Sequence, residues 1–394
     1  MTDTKQVLVI GAGYTGVLTA LGVARRTKAR VTLVNPWDTF TERLRMHQTA
    51  TGQRLAAHRI ADLVRDTRVT FVQGWVTGID TAARTATVST MDSPIPYDIL
   101  VYAVGSTTDT SRVPGATEHA FTLNDPDTAR RMADHLTASR SFLVCGAGLT
   151  GIEAATEIAE SHPDVRVTLL SRGEPAEMMG PKAHAYLMGA LERLGITVRS
   201  GVTVTKVLPD GVELDDGEFV AADGCLWTTG VSVAPLATRA GIATDATGRI
   251  VTDPTLRSVS HPEVWAVGDA AAIRQAYGVM HGTCQSGIPS AAHAAANIAR
   301  ALRGKAGRPF RFGYVHQPVS LGRKDAVIQF TFGDDTPRRW FITGRLAVRY
   351  KETVSSSPIP TFGLSRRLAL PPRILATTGG RRNRGTLAGP PAGY

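Results

Sequence analysis

The chain has 394 residues, 43% of them hydrophobic and 20% charged, with a formal net charge of +10. Such a length predicts two or three domains rather than one core, no apolar run reaches the about eighteen residues of a membrane span, and the opening MTDTKQ does not read as a signal peptide. The arginines are scattered rather than interleaved with aromatics, which argues against a nucleic-acid partner, and Cys145, Cys225 and Cys284 are spaced neither for a disulfide framework nor for a metal site, a pattern that suits a reducing cytoplasm.

In chain order, QVLVI predicts a strand buried on both faces that ends at a glycine turn, Gly11-Ala12-Gly13 with Gly16 three residues on. A helix is expected from Tyr14 to Arg26, with Val17, Leu18, Leu21 and Val23 on its apolar face, and then a strand ending at Asn35. The order recurs 135 residues later (146 − 11), with SFLVC, the turn Gly146 to Gly151 carrying Gly148, Leu149 and Thr150, a helix, and a strand leading to Ser171 and Arg172. Each unit has the order of a dinucleotide-binding βαβ motif. Its first glycine permits the turn, its second lets the backbone approach a pyrophosphate, and its third lets helix pack on strand. An acidic residue usually follows the second strand to bind a ribose. Asn35 stands there first, and Ser171-Arg172 second, where an arginine without a carboxylate could accommodate a 2′-phosphate. NADPH is therefore as open as NADH.

Segments rich in β-branched residues between the units predict small meanders. YAVGS, with Ala103, Gly105 and Ser106, is expected to return to the first sheet, and HPEVWAVGDAAA to close on Gly268-Asp269. Gly230, ending CLWTTG, is a further candidate at the second nucleotide site. PSAAHAAANIARALRG is strongly helical, and AVIQFTF and RWFITGRLAVRYKE predict strands of a smaller final unit. The last thirty residues, rich in Arg, Gly and Pro, predict a flexible basic tail, with a lipid contact as the alternative.

Two glycine fingerprints together with AVGDAA resemble the two-dinucleotide-binding-domain flavoproteins of the pyridine nucleotide–disulfide oxidoreductase superfamily. FTERLRMHQTATG, TCQSGIPSAAHAAANIARALRG and YVHQPVSLGRKDAV look most like its type II NADH dehydrogenase-like branch. The resemblance implies an α/β fold of two Rossmann-like domains, including a three-layer ββα sandwich, plus a small α+β C-terminal domain. Its boundaries would be 1–113 with 242–309 (FAD), 114–241 (NAD(P)H), 310–360, and a tail over 361–394. It implies FAD on the first turn and NAD(P)H as co-substrate on the second, with Asp269 holding the flavin ribityl chain and Glu153 approaching the nicotinamide.

Arg43, Arg45, His47, Gln48 and Gln285 are the acceptor-side candidates. His47 suits proton transfer near neutral pH or a packing role, and Arg43 an anionic acceptor or an FAD phosphate. The branch usually carries a second glutamine four residues after the first, where this chain has Pro289. No cysteine precedes Cys145, so a redox disulfide beside the flavin is not expected. The implied activity is hydride transfer from NAD(P)H to FAD and onward to a quinone or other small acceptor. The alternatives are a flavoenzyme acting on a specialised metabolite and a reductase of an electron-carrier protein. The expected setting is cytoplasmic, with peripheral contact at the inner membrane face conceivable, as a monomer or homodimer.

Overall fold

The structure, a computed structural model, describes residues 4–371. Its first sheet is parallel and five-stranded, in the order Val264–Ala266, Ile99–Tyr102, Gln6–Ile10, Arg30–Asn35, Val69–Gln73. Val7, Val9, Leu33, Leu100 and Val101 are at most 1% exposed, as strands covered on both faces require. The second sheet is parallel and four-stranded, ordered Thr197–Arg199, Arg166–Leu170, Ser141–Cys145, Gly224–Trp227. Each sheet has an antiparallel three-stranded meander associated with it in sequence, one over Val76–Pro96 and one over Val204–Ala221. A further antiparallel sheet is built from His316–Ser320, Ala326–Thr331 and Pro337–Thr343.

The first predicted helix runs over Tyr14–Arg26, as its apolar spacing indicates. It packs against the helix Cys284–Ala301 through small residues. A Cβ on Gly22 would come within 2.7 Å of the Ala295 Cβ, and Ala291, Ala294 and Ala295 are buried on the facing side. This close approach returns the later segment to the N-terminal core, whose cluster takes in both stretches.

Two expectations for the C-terminal part are corrected. RWFITGRLAVRYKE is a strand only as far as Thr343; from Gly344, in the left-handed region at φ +64°, a helix runs to Ser356 and buries Ala347, Lys351 and Ser355 on one face. Nor does a tail begin at 361, because a helix spans Pro358–Arg367 and buries Phe362, edge-on to Phe40 with centroids 5.4 Å apart. The rest of that expected tail, from 372 onward, lies outside the described residues.

Candidate active site

Both glycine turns sit at the carboxyl end of a central parallel strand. Gly11 (φ +95°) and Gly146 (φ +115°) take conformations that a side chain would strain. A Cβ on Gly16 would lie 1.8 Å from the Gly11 carbonyl oxygen, and one on Gly151 1.8 Å from that of Gly146. By contrast, a Cβ on Gly13 or Gly148 would meet no protein atom within 4 Å. Those two positions leave the backbone open to a ligand at the start of each helix, where free N–H groups favour an anion. The chain thus fits two dinucleotide pyrophosphates by its own sterics.

A cavity of about 1010 Å³ runs from the first turn to the C-terminal helices. Its wall includes Gly11, Ala12, Gly13, Asn35, Arg43, Ala103, Gly105, Ser106, Asp269 and Gln285 from the predicted set, joined by Leu149, Thr150 and Glu153 from the second unit. Asp269 Oδ2 accepts from Ser106 Oγ at 3.0 Å, which aims the carboxylate. The cap of the long helix is Thr283, in a reciprocal capping box with Ser286, so Asp269 is not spent on that helix. Gly268 lines a smaller adjoining pocket, while Gly16, Gly146, Gly148, Gly151, Ser171, Arg172 and Gly230 lie off the cavity wall. Arg172 is exposed and makes no hydrogen bond or ion pair among the described residues, whereas Arg199 is held by Glu218 at 2.7 and 2.6 Å.

The structure separates the acceptor-side candidates. Arg43 and Arg45 lie on one short 3-10 turn and separate; Arg43 donates to the Ser106 carbonyl and Arg45 to Glu352 Oε2 at 2.6 Å. His47 and Gln48 stand behind the cavity wall, buried in the short helix Met46–Thr49, because Met46 and Ala50 anchor that turn in the second unit's core. Burial pushes the His47 imidazole down to about 4 and the Glu157 carboxyl up to about 7. Their Nε2 and Oε2 atoms, 3.8 Å apart, therefore do not form an ion pair, because the imidazole is already neutral where the carboxyl ionises. Gln285 lines the cavity with its amide already committed: Oε1 accepts from Val315 N at 2.7 Å and Nε2 donates to His316 O at 2.9 Å. It ties the start of the long helix to the third sheet.

Sequence reading missed Lys351. Its Nζ lies 2.6 Å from Glu153 Oε1 and donates to Pro318 O at 3.1 Å, and both partners face the cavity. Burial would raise the Glu153 carboxyl, but Lys351, His47 and the bond from Ser320 N (3.0 Å) hold it below the usual range. His316, also on the wall, is lowered to about 4 by burial and by Lys351. Only the i, i+4 spacing of Ala347, Lys351 and Ser355 could have marked the lysine as inward-facing. Cys284 opens the long helix as a thiol, because burial and Asp269 push it up to about 12. Cys145 and Cys225 are buried together in the second sheet, with Sγ atoms 3.4 Å apart.

The family model for pyridine nucleotide-disulphide oxidoreductases matches residues 5–299. An NADH dehydrogenase-like protein of Mycobacterium tuberculosis is 32% identical over 358 residues, covering 82% of this chain and 87% of that protein. A type II NADH:quinone oxidoreductase of Staphylococcus haemolyticus is 27% identical over 398 residues, covering 92% and 96%. In fold, the chain is similar to NDH2 of Plasmodium falciparum solved with NADH, at a TM-score of 0.79 and 13% identity, covering 93% of this chain and 98% of that one.

Proposed function

The chain belongs to the pyridine nucleotide-disulphide oxidoreductase family, and from that premise we propose that it is an FAD-dependent NAD(P)H oxidoreductase delivering electrons to a quinone. The observation that carries this reading is the single cavity onto which the first glycine turn, the start of the second-turn helix and the Glu153–Lys351 pair all open. When bound, FAD supplies the two-electron relay between NAD(P)H and the acceptor. Backbone N–H groups at the start of the Tyr14–Arg26 helix would hold its pyrophosphate, and Asp269, oriented by Ser106, would accept hydrogen bonds from its ribityl hydroxyls. The Gly146–Gly151 turn would hold the nicotinamide nucleotide, with Leu149, Thr150 and Glu153 leading toward the shared cavity. At the wall, Lys351 Nζ holds a proton against the Glu153 carboxylate, the kind of group that a quinone gaining electrons requires. Gln285 fixes the third sheet against the long helix, which closes that wall.

Anaerobic stopped-flow tests the proposal: the purified yellow protein should bleach on addition of NADH or NADPH and regain colour with a soluble quinone. A flavin that fails to bleach with either nucleotide overturns it. A flavin that bleaches but ignores quinones would move the acceptor to a metabolite or a carrier protein.

No helix among the described residues is long and apolar enough to cross a membrane. Peripheral contact is favoured by exposed Trp340, Phe332 and Leu346 beside Arg338, Arg339 and Arg345, with the Arg338 guanidinium 4.2 Å from the Phe332 ring centre. Cosedimentation with anionic vesicles, lost in W340E, is the expected result.

A further inference from the structure

The phosphate turn and the ribityl carboxylate account for the middle of the first nucleotide site, but not for its far end. At that end a carboxylate commonly binds the adenosine ribose, and this chain has Asn35. Its amide is engaged within the protein at both ends. Oδ1 accepts from Ala12 N at 3.0 Å, and Nδ2 donates to Trp37 O at 2.9 Å. Gly74 N donates to the Asn35 carbonyl at 2.9 Å. These bonds tie the glycine turn to two neighbouring segments, Pro36–Trp37 and Gly74–Trp75, which follow the adjacent parallel strands Arg30–Asn35 and Val69–Gln73.

Trp37 and Trp75 therefore stand side by side beyond the carboxyl ends of those strands, where open parallel sheets receive ligands. Both line the same cavity as Gly11 and Gly13. Their rings meet edge to face, with centroids 5.4 Å apart and planes at 69°. Trp37 is half-buried, and Trp75 is 59% exposed. Rings so inclined do not form a parallel sandwich, but one face with the other ring's edge beside it makes a corner for a flat heteroaromatic base. Any purine offers the π-face that such stacking requires, with no hydrogen-bond readout.

We propose that Trp37 and Trp75 form the adenine clamp of the first nucleotide site. Trp75 presents the stacking face, while Trp37, whose carbonyl is held by Asn35, fixes the corner. The clamp takes over the adenosine-end affinity that a carboxylate at position 35 would otherwise contribute. This inference rests on the first turn being the FAD site.

The test uses the full-length chain stripped of flavin and titrated with FAD and with FMN, which lacks the adenine. Binding is followed by flavin fluorescence and by quenching of tryptophan emission. W75A should weaken FAD by about 5- to 150-fold, the range for loss of one base–aromatic stack, while leaving FMN binding unchanged. W75F, which keeps a π-face, should recover most of the FAD affinity while losing part of the tryptophan quenching. Unchanged FAD affinity in W75A, or equal losses for FAD and FMN, would overturn the clamp. Failure of the unmodified chain to bind either flavin would instead overturn the assignment of the site.

Discussion

Replacing Lys351 by Met tests how the second and third units are fastened at the cavity. Lys351 and Glu153 are 7% and 9% exposed, and their charged atoms lie 2.6 Å apart. Removing one member of such a pair leaves an uncompensated buried charge, at a cost of about 3–5 kcal/mol, whereas replacing both is often close to neutral. In the native protein the Glu153 carboxyl is held low, so its ionised form contributes stability above the ordinary carboxylate range, and that contribution is lost as pH falls through the depressed value. In K351M the burial contribution dominates and raises the same carboxyl, so ionising it becomes unfavourable as pH rises. The stability gap between native protein and K351M should therefore widen between pH 5 and pH 8. Urea unfolding of both proteins, with E153Q and the E153Q/K351M double variant completing the cycle, measures the gap and the coupling. A gap independent of pH, or a double-variant cost equal to the sum of the singles, would refute the buried-pair reasoning.

Glu157 has the opposite sign: burial raises it from 4.5 to about 7, so the folded state binds the proton more tightly and this group costs stability as pH rises through that window. E157Q should accordingly gain on the order of 2 kcal/mol over the native protein at pH 8 and almost nothing at pH 4, read from urea midpoints. G16A forces a Cβ to within 1.8 Å of the Gly11 carbonyl and should yield colourless protein, whereas G151A, with the same clash at Gly146, should stay yellow but fail to bleach with NAD(P)H. R172A removes a guanidinium that has no partner among the described residues and should lower the NADPH-over-NADH preference about tenfold or more, as the ratio of apparent affinities in bleaching titrations would report.

What the sequence displayed was what neighbouring residues determine. The turn at Gly11 and the helix Tyr14–Arg26 follow from local sterics and apolar period, and both were legible to the residue. Asp269 and Ser106 were nameable through family motifs, though not their 3.0 Å contact. Lys351 was hidden because a lysine in an arginine-rich stretch reads as solvated, and only a carboxylate from a different unit makes its burial tolerable. The stretch after Thr343 reads as strand because it continues the strand residues Phe341 and Ile342 and itself carries Val348 and Tyr350; the left-handed Gly344 and an inward face four residues apart decide otherwise.

His47 and Gln285 show the converse, a chemically able side chain engaged by structure, which for His47 is the packing alternative the sequence left open. The turn bearing His47 is drawn into the second unit's core, and the Gln285 amide is consumed by the backbone at Val315 and His316. Both belong to the fastening of one unit to another, as does the Glu153–Lys351 pair. The cavity wall is thus composite: its nucleotide turns come from two duplicated units and its closing face from a third. The joins at the cavity are discrete polar bonds, Gln285 to Val315 and His316 and Lys351 to Glu153, whereas the rings Tyr14, Phe40 and Phe362 belong to the first Rossmann core itself. The duplicated turns were readable because neighbouring residues build them, whereas the closing face of the cavity emerged only from contacts between units.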